Sequence, residues 1–340
     1  MSNAEILKEG WLPASWNGGH AYPDRVNAAA PSVLGFYAER YTHSDRQVWR
    51  ERLAAGEIWR NGQQLLADGP LSAGDRLVWH RPPWQEPAVP VLHEGSIVFD
   101  DGDLLVLNKP SGLPVLPAGG FLKHTLLTQL EGWASMGVIS SAGGLPRPVH
   151  RLGRFTSGLL VCARRAESRA WLSAQLREST LRAQGSDHEG GCRKIYRAIT
   201  HPLPEDWRVS EIRWVKSEIG LAPHPHLGKI WCHDPESDHQ SLSAVSEIKL
   251  IERRGLSCLV EVLIATGRPH QIRIHTASIG APLIGDPLYL SGGMFHSHAL
   301  PGEGGYSLHA YRLRLLQPDR SCLELSAPLP SIMVEMGASN

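Results

Sequence analysis

The chain reads as a mixed α+β protein built in two parts, and three observations predict it. Segments with helical spacing and segments that alternate like strands follow one another along 340 residues. Turn signals rich in Gly, Pro, Asn and Asp separate them. A proline-dense stretch, Pro82-Pro83-Trp84-Gln85-Glu86-Pro87-Ala88-Val89-Pro90, divides a short first part from a longer second one. Proline fixes φ and gives no backbone donor, so this stretch is expected to be a semi-rigid linker. The length suggests about two domains, placed here at residues 1–85 and 86–335.

In the first part, Trp11, Pro13, Trp16, Gly18, Gly19, Pro23 and Pro31 give a turn-rich lead-in. Ser44 suits a helix N-cap, with Gln47 three residues on completing a capping box. Val48, Arg52 and Leu53 then fall at helical spacing, and Gly56 supplies the stop. Ile58-Trp59-Arg60 reads as a strand entering an Asn61-Gly62 turn, a strong hairpin signal. Gly74-Asp75 opens a further strand through Trp79. Arg46, Arg50, Arg52 and Arg60 are candidates to meet a phosphate backbone, because the guanidinium fork suits phosphate.

In the second part, Ile97-Val98-Phe99 and Leu104-Leu105-Val106-Leu107 read as strands around the acidic turn Asp100–Asp103. Gly158–Ala163 is a short continuous apolar run, as a buried strand would be. A helix is expected from Arg169 to Thr180 and a loop over Gly185–Gly191. Lys194–Thr200, Val245–Ile251 and Cys258–Ile264 alternate as strands, and a further helix opens at His270.

Charge is balanced, with 34 Lys and Arg against 34 Asp and Glu, so the total gives no sign of a nucleic-acid partner. Its distribution does. Between Arg147 and Arg169 stand six arginines and one acid, Glu167, followed by Arg193, Lys194 and Arg197. Such a patch can supply phosphate contacts while acids elsewhere cancel the net charge. The five cysteines are odd in number and lack any C-x-x-C pair, which argues against a disulfide framework and a zinc knuckle and for a reducing cytoplasm. No P-loop, G-x-S-x-G, H-E-x-x-H or G-x-G-x-x-G is present, and the 17 histidines fit no common zinc spacing, so no metal is expected. No apolar run reaches the length of a membrane span, and Met1–Lys8 lacks the apolar core of a signal peptide.

Four blocks carry chemistry. They are Asn108-Lys109-Pro110-x-Gly112-Leu113; His150-Arg151-Leu152-Gly153-Arg154-x-Thr156-Ser157-Gly158; Lys194-x-Tyr196-x-Ala198; and Thr266-Gly267-Arg268-Pro269-His270-Gln271-Ile272-Arg273-Ile274-His275. The last continues through Gly285-Asp286-Pro287-Leu288-Tyr289 to Leu308-His309-Ala310. Together they closely resemble the RluA-type RNA pseudouridine synthases, over most of residues 38–328. Residues 38–82 resemble a small RNA-binding module shared by a small-subunit ribosomal protein and several such synthases.

The resemblance implies a catalytic domain with a mixed, mostly antiparallel sheet, and isomerisation of uridine to pseudouridine in rRNA or tRNA without a cofactor. The base has to leave its stack before it can react. By the same resemblance Arg151 enters the space the base vacates, Tyr196 stacks on the uracil, and Arg273 pairs with the family's catalytic aspartate. That aspartate's position is Gly153 here. Arg154, Arg164, Arg268 and His270, with Arg46 and Arg50 of the module, are the expected RNA contacts. Asp286, before a proline, reads as a turn residue rather than a catalytic acid. No protein partner is indicated and a monomer is expected. Two readings remain open: an RNA pseudouridine synthase, and an RNA-binding protein of the same fold without turnover.

Overall fold

A computed structural model describes residues 10–182, 192–233, 241–299, 304–316 and 321–336, with side chains of 177–182 excluded. The Gly185–Gly191 loop expectation lies outside them. In chain order the elements are β1 (Trp11–Leu12), β2 (Ser15–Trp16), β3 (His20–Arg25), α1 (Val33–Arg40), α2 (Arg46–Ala54), β4 (Ile58–Arg60), β5 (Gln63–Gln64), β6 (Arg76–Arg81), β7 (Gln85–Glu86) and β8 (Val89–Pro90). There follow β9 (Ile97–Asp100), β10 (Leu104–Lys109), α3 (Leu126–Ser135), β11 (Arg147–Pro148), β12 (Thr156–Ala163), α4 (Ala166–Arg182), β13 (Arg193–Thr200), β14 (Ile212–His224), β15 (Gly228–His233), β16 (Leu242–Arg254), β17 (Ser257–Ile264), α5 (Gln271–Ser278), β18 (Leu308–Leu316) and β19 (Cys322–Ser326).

The chain divides into two compact units, one of residues 14–87 with 223–230, the other of 1–13, 88–222 and 231–340. The smaller unit is a four-stranded antiparallel sheet in the order β3-β6-β4-β5, with α1 and α2. Its core stacks Tyr37 on Trp49 at 4.5 Å and packs Leu53, Ile58, Leu77 and Trp79 beside them. The Arg52 guanidinium lies 4.3 Å from the Trp49 and Trp79 rings, which takes it into this core rather than to a phosphate.

The lead-in contains more regular structure than its sequence suggests. Pro23 sits in β3, an edge strand where a missing donor costs no ladder bond. The Ser32 hydroxyl caps α1, accepting from the Gly35 N–H. The cap of α2 is Asp45 rather than Ser44: its carboxylate accepts from the Val48 N–H at 2.9 Å, while the Ser44 hydroxyl is taken by His43 and Arg52. Asn61 and Gly62 both adopt positive φ, as the hairpin turn requires. The proline-dense stretch is more than a linker, because β7 pairs with β2 and β8 with β1.

The larger unit is organised by a sheet running β14-β16-β17-β13-β18-β12-β10-β9, with β19 on β18 and β11 on β12. Pairing between the described strands is antiparallel except at one seam, where β12 and β18 run parallel. There Thr156 faces Leu308, Ser157 faces His309, and Gly158 faces Ala310. Gly158 has φ 97°, and a Cβ on it would come closer than 3.0 Å to the Ala310 backbone, so only glycine lets the strands approach. Leu105, Val106, Leu107, Leu160, Val161, Val260 and Val262 are buried in the core around the sheet, consecutive residues facing its two sides in turn. Among the described residues no helix is long and apolar enough to cross a membrane.

Candidate active site

Residues 150–158 lead into β12, and the end of β10 holds that segment in place. The Lys109 ammonium is fully buried and donates to three carbonyls, those of Pro110, Leu113 and Arg154, each at 2.9 Å. Burial, with Arg154 adding, pulls its pKa down to about 7. Gly112 N–H donates to the Arg154 carbonyl, and the Ser111 hydroxyl donates to that of Phe155. The first two sequence blocks are thus one tied structure. On the far side of the seam, the Ser157 hydroxyl and His309 Nδ1 lie 2.8 Å apart. His150 Nε2 accepts from the Val161 N–H at 3.0 Å.

The fourth block is fixed through α5. Gln271 receives the Thr266 hydroxyl and donates to the Val245 carbonyl and the Ser246 hydroxyl. His275 adds a contact to Ser246 at 2.8 Å. This leaves Arg273, 7% exposed, directed at a buried carboxylate. Its Nε and Nη2 donate to Asp286 at 2.7 Å each, a two-pronged pair. Asp286 also accepts from the Leu288 and Tyr289 N–H groups. Burial lowers the Arg273 pKa, but the bonds to Asp286 and its charge, with Tyr306 and Tyr289 adding, raise it above its ordinary value overall. The reading of Asp286 as a turn residue therefore misses its main role: it is the partner of Arg273, where the resemblance implies a residue-153 carboxylate.

Position 153 is not a void. A Cβ built on Gly153 would fall closer than 3.0 Å to the Tyr306 hydroxyl, which fills the volume a side chain there would need. The Tyr306 ring is buried, edge-on to Phe155 at 6.0 Å, with the Arg273 guanidinium 4.2 Å from its centre. Thr156 Oγ1 donates to its hydroxyl at 3.4 Å. Its backbone is held from behind by Gly285, φ 79°, where a Cβ would strike the Gly305 carbonyl. The Tyr306 hydroxyl at residue 153, the Tyr306 ring, the Arg273 guanidinium and the Asp286 carboxylate thus form one continuous set.

The other expected site residues fare unequally. Tyr196 is buried on β13, opposite Ala310, and belongs to the same apolar cluster as Tyr306; burial, with Cys192 adding, pushes its phenol well up. Arg151 is exposed, as are Arg46 and Arg50 on α2 of the smaller unit. Arg154 is half-buried, donating to the Gly112 carbonyl and lying over Phe121 and Phe155. Arg268 donates to the Ser243 carbonyl, and exposed His270, at φ 55°, meets the Tyr289 hydroxyl at 2.7 Å.

Arg164 corrects the expectation of an RNA contact. It is buried, with both terminal nitrogens on Asp100 at 2.9 Å and Nε on the Ser140 carbonyl, so its guanidinium is turned into the protein and is not presented to a phosphate. Among the described residues no group of His, Cys, Asp and Glu could hold a metal ion. Tyr306 escapes sequence reasoning because its meaning comes only from its nearness to Gly153.

Comparisons with known proteins give the class to which this fold belongs, the RNA-modifying pseudouridine synthases. Residues 103–278 match the RNA pseudouridylate synthase family. An uncharacterised RNA pseudouridine synthase of Synechocystis is 41% identical, the match covering 89% of this chain and 95% of the relative. RNA pseudouridine synthase 5 of Arabidopsis thaliana is 36% identical over 93% and 94%. Ribosomal large subunit pseudouridine synthase D of Neisseria meningitidis is 30% identical over 88% and 75%. Among solved structures, human RNA pseudouridylate synthase domain containing 4 shares the fold, at TM-score 0.50 and 23% identity over 70% of this chain and 90% of that one. The chain belongs to the RNA pseudouridine synthase family.

Proposed function

We infer that this protein converts a uridine of rRNA or tRNA to pseudouridine, as a monomer in the cytoplasm. The observation that carries this reading is the convergence of Gly153, Tyr306, Arg273 and Asp286 into one preorganised set, supported by the tethers from Lys109 and Gln271. Preorganised polar groups are what a bond-breaking site needs. Arg151 is exposed beside this set in sequence and offers donors to the RNA, while His270, its Nδ1 committed to the Tyr289 hydroxyl, offers Nε2 as an acceptor. Residues 1–85 act as an RNA-binding module, with Arg46 and Arg50 as phosphate contacts.

Two observations favour a second reading, an RNA-binding protein of this fold without turnover. Gly153 carries no carboxylate, and the nearest acid in the set, Asp286, is committed to Arg273. Mapping pseudouridine across rRNA and tRNA from cells with and without the gene separates the two. Loss of one or a few modified positions is the expected result. An unchanged map, with RNA still bound by purified protein, establishes the second reading instead.

A further inference from the structure

We propose that Tyr306 is a catalytic residue of this protein, its hydroxyl taking at the ribose the place that a carboxylate at residue 153 would hold. The inference rests on the isomerase reading above. Three features of the geometry support it. The hydroxyl occupies the volume in which a residue-153 side chain would begin. The ring that carries it packs against Phe155 and Arg273, and the backbone behind it is fixed by the close approach of Gly285 to Gly305. Asp286 already satisfies Arg273, so the set is complete without a further acid.

A phenol is a known solution to this kind of chemistry: some enzymes that break glycosidic bonds use tyrosine as the nucleophile. The step balances without any other reactant. The Tyr306 Oη bonds to C1′ of the ribose as the C1′–N1 bond breaks and its electron pair passes to the uracil. The phenolic proton goes to N1. After the base turns, C5 attacks C1′, the Oη–C1′ bond breaks and returns its pair to the phenol oxygen, and the C5 proton restores the hydroxyl. The net change is one hydrogen gained at N1 and one lost at C5, as pseudouridine formation requires.

The test uses full-length protein and rRNA plus tRNA purified from cells lacking the gene, with conversion, RNA affinity and melting temperature measured together. Tyr306→Phe removes one oxygen and keeps the ring. Its conversion should fall about 100-fold or more while affinity and melting temperature stay near wild type. Replacing Tyr306 with a ring-fluorinated tyrosine, whose phenol ionises at lower pH, should move the pH profile of conversion downward; a filler role would leave the profile in place. Equal conversion by wild type and Tyr306→Phe overturns the assignment and leaves the isomerase reading standing. No conversion by wild type, with RNA bound, overturns both.

Discussion

Gly153 and Tyr306 have to be considered together, because each is the reason the other fits. Gly153 is not among the positive-φ glycines, so an added side chain there meets crowding rather than backbone strain. Sequence alone suggests that Gly153→Asp completes the pocket by giving Arg273 a partner. Asp286 already fills that need, and the new carboxylate would collide with the Tyr306 hydroxyl and stand near a second acid. Gly153→Asp should therefore cost about 1–3 kcal/mol. Adding Tyr306→Ala should recover part of it, giving a non-additive double-mutant cycle by chemical denaturation. Additive effects would show that the two positions do not share a volume. Arg164 is the complementary case, a cation that structure removes from the RNA surface. Arg164→Ala leaves Asp100 unpaired, so a loss of about 3 kcal/mol is expected. Arg151→Glu should leave stability within about 0.5 kcal/mol of wild type while weakening RNA binding.

The strands that the sequence makes legible are those whose apolar pattern is decided by their own residues. Leu104–Lys109, Thr156–Ala163, Arg193–Thr200 and Ser257–Ile264 are buried runs or alternations, and they appear as strands with nearby boundaries. β3 and α1 are hidden because Pro23 and Pro31 signal breaks, and only pairing with β6 and the Ser32 cap makes regular structure there. The parallel β12–β18 seam is also invisible in sequence, since Gly158 and Ala310 meet only in the fold. That seam makes a pH-dependent prediction. His309 on β18 is buried, and burial lowers its pKa to about 4. Between about pH 6.5 and 4 the unfolded chain binds a proton that the folded chain does not, so stability falls as pH drops through this window. The slope from this residue is about 1.4 kcal/mol per pH unit, with no contribution above pH 6.5. Denaturation of wild type and His309→Gln at pH 7.5 and 5 measures it; identical pH dependence would rule out a titrating His309. The Lys109 tether can be tested in the same way. Lys109→Met strands the Pro110 and Leu113 carbonyls and leaves that of Arg154 with the Gly112 N–H alone, so about 2–4 kcal/mol should be lost, with faster amide exchange around Gly112.

For the molecule as a whole, the balance of 34 basic and 34 acidic residues predicts no general attraction to RNA, yet the site requires it to bind a polyanion. Position resolves the conflict. Several acids are spent in pairs with buried or half-buried arginines, as Asp100 is with Arg164, Asp286 with Arg273 and Glu252 with Arg254. Those pairs cancel in the total charge and offer nothing to a phosphate. The exposed arginines Arg46, Arg50 and Arg151 stay available. Binding should thus depend on a few local contacts, with log affinity falling linearly against log salt by about 0.7–0.9 per phosphate neutralised. Measured on rRNA or tRNA between low and physiological salt, wild type should show a clearly negative slope. Arg46→Glu with Arg50→Glu should make that slope shallower by about two. The double variant should leave the melting temperature unchanged, since its lost contacts are surface hydrogen bonds such as Arg50 to Gln47. A wild-type affinity insensitive to salt would mean that binding is not electrostatic, and a double variant with an unaltered slope would take the smaller unit out of the RNA interface.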